Sequence, residues 1–117
     1  MSEGRIDGEF VRAALALAAR PEVDRLIYVS DEPLATSNLR GRPIKRKLVY
    51  AVTSEGLAQQ LASRRFAAVV IPPFGYSRVE KVRVALVACQ REGMVKEGDT
   101  VLALAGGREL DTLVRIR

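Results

Sequence analysis

Three short runs, "RLIYVS", "KLVYAV" and "FAAVVI", constrain this chain more than any other feature. Each is too brief for a helix, and each is rich in β-branched and aromatic residues, so each reads as a strand. None alternates apolar with polar positions. Near-continuous apolar character is what a strand needs when helices cover both of its faces, and that arrangement goes with parallel pairing through helical crossovers.

The segments between the runs supply such helices. Over residues 7–20, Phe10, Ala14, Leu17 and Ala18 recur at helical spacing behind a candidate Asp7 N-cap, and Pro21 follows. After the second run, Thr53 or Ser54 caps a helix with an apolar face of Leu57, Ala58, Leu61 and Ala62. After the third, Pro72 and Pro73 break the strand. Ser77 and Glu80 then stand in capping-box spacing before Val79, Val82, Leu86 and Cys89, and Gly93 is placed as the left-handed residue that ends this helix. "VKEGD" turns into a fourth strand, "TVLALA". Only about five residues separate it from "DTLVRIR", too few for a crossover, so the spacing predicts a hairpin with an antiparallel last strand.

In order, these parts resemble the C-terminal α/β domain of pyruvate kinase. In that family a strand ending near Thr leads into a helix with an "A..LA" face, and a later helix closes on "G.VKKGD.VVV..G". Here Thr53, Ala58, Leu61, Gly93, Val95, Lys96, Gly98, Asp99 and Gly106 fall in matching order. The resemblance runs from about Leu26 onward. It implies one three-layer α/β/α domain over residues 1–117, with a five-stranded mixed sheet of order 3-2-1-4-5. The same module resembles the N-terminal domain of archaeal-type diadenylate cyclases. The cyclase signatures, an Asp-Gly-Ala triplet and an Arg-His-Arg triplet, are absent here, so the resemblance implies an accessory domain.

Composition narrows the chemistry. The 117 residues include no histidine and one cysteine, which removes the usual neutral-pH general base, the Ser/His and Cys/His nucleophiles and transition-metal sites. No cofactor and no metal are expected. No apolar run reaches the ~20 residues of a membrane span, and the start "MSEGRIDGEF" lacks a signal-peptide layout, so a cytoplasmic protein is expected. Cys89, in "VALVACQ", reads as a small buried thiol.

Ligands of open α/β sheets bind beyond the strand C-termini at the switch point, here between strands one and four. Ser30, Asp31, Thr36, Arg42, Gly106, Gly107 and Arg108 form the candidate ligand set. Ser30 matches a Thr of the family's phosphate-binding "T.SG.T" loop. Asp31 and Glu32 stand where the family has small neutral residues, so the activator site does not carry over directly. The net charge of +5 is concentrated in one segment. Between Pro33 and Ser54 there is no acid, while Arg40, Arg42, Lys45, Arg46 and Lys47 form a basic patch.

The expected function is a non-catalytic accessory or regulatory domain that binds a small phosphorylated ligand or nucleotide, or docks a partner domain. A homodimer through the sheet edge or the third helix is a further expectation. A nucleic-acid module through residues 40–47 is the secondary reading, since that patch has no interleaved aromatic. A carboxylate enzyme built on Asp31 and Glu32 is the third.

Overall fold

The computed structural model describes residues 12–31, 44–73, 78–106 and 110–116. They form an α/β fold on a parallel four-stranded sheet with three helices. The elements are α1 (residues 12–18), β1 (Arg25–Val29), β2 (Leu48–Val52), α2 (Glu55–Ser63), β3 (Ala67–Val70), α3 (Arg78–Arg91) and β4 (Val101–Gly106). β1 pairs in parallel with β2 on one side and β4 on the other, and β3 adds in parallel to the outer side of β2. Beyond β4, the backbone of β5 (Leu110–Ile116) pairs antiparallel, with an irregularity between Ala105 and Gly106.

The runs of β1 and β2 are buried on both faces, as their pattern predicts. Leu26, Tyr28, Leu48, Tyr50, Val52, Leu102 and Leu104 face α1 and α2, while Ile27, Val29, Val49, Ala51, Val69, Val101 and Ala103 face α3. The alternation of successive side chains is thus intact, but both sets are apolar because both faces are covered. On the first face Tyr28, Tyr50 and Phe66 stand in a row, each neighbouring pair edge-to-face with ring centroids 5.5 Å apart.

Three expectations need correction. Leu17 is 40% exposed, and Leu15 takes its place beside Ala14 and Ala18 in the core. Ala14, Leu15 and Ala18 form the buried stripe at helical spacing, and Leu17 falls on its exposed flank. On α2, Ala62 is exposed; Leu61 is buried and Leu57 and Ala58 are half-buried. β3 is an edge strand, so Ala67 and Ala68 are only half-buried and Val70 is 43% exposed. The Asp7 cap, Phe10, Ser77 and the side chain of Val79 lie outside the described residues.

The helix ends show their chemistry. Ser54 is the N-cap of α2, its Oγ accepting from Leu57 N–H at 3.2 Å, which leaves Thr53 for another role. α3 ends in a Schellman motif, in which Met94 N–H reaches Cys89 O, Gly93 N–H reaches Gln90 O, and Gly93 takes the left-handed φ of +74°.

Cys89 is fully buried on α3, and burial pushes its thiol up from 9.0 to about 11, against a smaller lowering by Arg25. The unfolded chain therefore ionises first. Cys89 contributes its full share of stability below pH 9 and loses it as pH rises through about 9 to 11. Urea titrations of the wild type and Cys89→Ala should show a stability gap that is constant from pH 6 to pH 8 and narrows above pH 9.

Candidate functional site

The candidate residues fall at two opposite ends of the sheet, separated by the length of the strands, about 16 Å for five residues. Ser30, Asp31 and Gly106 lie at the C-terminal ends of β1 and β4, which are adjacent through the pairing of Val29 with Ala105. Lys45, Arg46 and Lys47 precede β2 and lie at the N-terminal end. Thr36, Arg40, Arg42, Gly107 and Arg108 lie outside the described residues, as does Glu32. The basic patch, as far as it is described, does not meet the switch-point crevice.

At the C-terminal end, Asp31 turns away from β4. One carboxylate oxygen accepts from Thr53 N–H at 2.8 Å and the other from Thr53 Oγ1 at 2.6 Å. Ser30 N–H extends the ladder to Ala51 O at 3.2 Å. The aspartate thus fastens the end of β1 to the end of β2 through both of its oxygens. At the other end of β1, Asp24 does the same toward β4, accepting from Thr100 N–H at 2.8 Å and donating its own N–H to Thr100 O at 2.8 Å. The two aspartates pin the central strand diagonally. Asp31→Ala should cost about 1 kcal/mol in chemical denaturation, the net worth of such bonds at an exposed site, and leave anion binding at the far end unchanged.

The N-terminal end holds a basic face that sequence spacing does not reveal, because its members come from three separate connections. Arg25 opens β1, Lys45 and Arg46 precede β2, and Arg64 and Arg65 precede β3. Arg25 Nη1 donates to Arg46 O at 2.9 Å, and Lys45 Nζ donates to Arg64 O at 3.3 Å. Lys45 Nζ and the Arg64 guanidinium lie 4.6 and 5.6 Å from the centroid of Phe66. Among the described residues, no carboxylate pairs with any of these five cations; the nearby Glu22 pairs with Arg20 at 3.1 Å. Lys47 leaves the patch, because its Nζ donates to Ala18 O and Arg20 O, each at 3.0 Å, and so caps the C-terminal end of α1.

Arg65 is the unusual member. α2 ends in the same Schellman motif as α3, with Phe66 N–H to Leu61 O and Arg65 N–H to Ala62 O. Arg65 holds the left-handed position with φ of +67°, where α3 uses Gly93. A side chain there costs roughly 1 kcal/mol relative to glycine. The one signal available in sequence was the pair "RR" directly before an apolar run, at a position where a helix end favours glycine.

Among the described residues, no three His, Cys, Asp or Glu side chains gather as metal ligands, and no helix is long and apolar enough to cross a membrane. No protein-family model matches the chain, and no curated protein matches it in sequence.

Proposed function

We propose that this chain is a non-catalytic accessory domain of the pyruvate kinase C-terminal-like kind, with a five-stranded 3-2-1-4-5 sheet and an antiparallel last strand. Its role is to bind a phosphorylated ligand of the nucleotide class on the basic face of Arg25, Lys45, Arg46, Arg64 and Arg65. The association with a diadenylate cyclase rests on the sequence resemblance, and with it an intracellular setting.

One observation carries the reading. Five cations gather at one end of the sheet with no carboxylate partner among the described residues, and one of them keeps a backbone conformation that glycine would hold more cheaply. A side chain retained at a cost in stability points to use of that side chain. The planar forks of arginines suit phosphate oxygens. The nucleic-acid reading gains less, since Phe66 is half-buried against Tyr50 with Lys45 over its ring and offers no open face for a base. The enzyme reading gains less as well, since Asp31, one of its two acids, already ties β1 to β2 through bonds to Thr53.

The test uses Arg65→Gly, which should move stability and binding in opposite directions. Its melting temperature should rise by about 3 °C, from roughly 1 kcal/mol of relieved strain. In titrations at low salt, ATP, a cyclic dinucleotide and inorganic triphosphate should bind it about 5-fold more weakly than the wild type, as expected for one lost charge-assisted contact. No saturable binding of any of the three, or binding indifferent to Arg64→Ala with Arg65→Gly, would remove the proposal.

A further inference from the structure

The outer edge of β3 has both the backbone and the side chains of a receptor strand. Among the described residues, β3 is the end strand of the sheet and pairs only with β2. Ile71 N–H donates inward to Val52 O at 2.8 Å. Because successive residues of a strand point to opposite sides, Ala68 and Val70 direct their N–H and C=O groups to the open side.

Alongside this edge, β3 and α3 enclose a groove of about 330 Å³. Its apolar walls include Val70 and Pro72 from the strand side and Val84 and Val87 from the helix. Val70 and Val87 are 43% and 52% exposed, unusual for valines in a chain whose other described valines are mostly buried. Arg83 and Arg91 stand at the two ends of the groove, both exposed and neither paired with a carboxylate among the described residues. Arg91 also suits the last turn of α3, but Arg83 has no such role in the helix.

The spacing of the arginines defines an occupant. Eight helical positions separate them, about 12 Å along the axis. In an extended chain, side chains four positions apart share a face and lie about 13 Å apart, with one more side chain between them. We infer that this groove docks an extended acidic segment of a partner protein, which adds to β3 as a further strand and carries the pattern acidic–x–apolar–x–acidic. The backbone of the segment meets Ala68 and Val70, its central apolar side chain rests on Val84 and Val87, and its two carboxylates meet Arg83 and Arg91. Glu55 and Glu92 line an adjoining hollow along Ala68 and Val70, beside Arg91. Arg83 is therefore the stronger anchor. A second copy of this chain is the poorer fit, because a two-fold pairing of α3 about Val87 sets Arg83 against Arg91. The groove residues are separate from the basic face, so this inference stands apart from the function proposed above.

The experiment is fluorescence anisotropy with a labelled seven-residue peptide, glutamate at positions two and six, valine at position four, threonine and serine elsewhere, and a control with lysines for the glutamates. Wild-type protein should bind the glutamate peptide saturably with a dissociation constant below about 1 mM, and the lysine peptide should not bind. Arg83→Glu should weaken binding about 10-fold and Arg91→Glu less; the double variant should reverse the preference to the lysine peptide. Amide shifts of Ala68 and Val70 on titration should report the added strand. The inference is overturned if no saturation occurs, if both peptides bind alike, or if the reversal fails in a double variant with wild-type circular dichroism. It is equally overturned if ultracentrifugation finds a dimer that Val87→Asp dissolves, since the occupant is then a second copy.

Discussion

Tyr50→Ala is expected to cost about 4 kcal/mol of folding stability, the usual loss for truncating a large buried ring. Tyr50 is 1% exposed, at the centre of β2, and it makes edge-to-face contacts with both Tyr28 and Phe66. Removing it opens a cavity between the sheet and α2 that the stiff neighbouring strands cannot close. A domain of this size has roughly 5–15 kcal/mol in total, so the variant is left close to its unfolding threshold. Urea unfolding at 25 °C checks this through a lower midpoint at an unchanged slope. A loss below about 1 kcal/mol would mean that the aromatic row is not what joins β1, β2 and the turn before β3. The effect reaches function, because Phe66 supports Lys45 and Arg64 on the basic face. Phosphate affinity in the surviving folded fraction should fall as well.

The second large effect separates a structural lysine from a ligand-binding one. Lys47→Met keeps the aliphatic stem and removes the ammonium that bonds Ala18 O and Arg20 O. Those carbonyls are at the end of α1, where Arg20 O also accepts from Val23 N–H at 3.1 Å, and a charged donor there offsets the negative end of the helix dipole. The expected loss is about 2 kcal/mol. Nucleotide affinity should remain within about 2-fold of the wild type, since Lys47 points into the joint between α1 and β2 rather than to the basic face. If Lys47→Met instead binds ATP much more weakly at unchanged stability, the lysine belongs to the ligand site. Amide exchange should show the loss concentrated in residues 14–20.

The contrast between Lys47 and Arg65 shows what a charge count conceals. Both look like ordinary members of basic stretches. Lys47 is held by main-chain acceptors that reach it only after α1 folds onto β2, 29 residues away in the chain. Arg65 gains its place because α2 ends at that point and the chain must turn left-handed. Asp31 is a similar case. A carboxylate at a strand end signals a ligand site, but its partner Thr53 lies 22 residues on and becomes a neighbour only through the pairing of β1 with β2.

The sequence by itself determined the parallel strands, the helices between them, the buried cysteine and the left-handed glycine at the end of α3. These follow from local rules, namely continuous apolar runs, helical spacing and the conformational freedom of one residue, and they need no knowledge of distant neighbours. Only the tertiary structure decided which charges share a face and which hold the frame together. It gathered Arg25, Lys45, Arg46, Arg64 and Arg65 from three connections, used Lys47 and Asp31 to hold secondary structure together, and placed β3 at the edge of the described sheet. The reason is that a polar group's role depends on whether a partner stands within about 3 Å. For these residues the partners are set by strand order, which brings together positions 19 or more residues apart.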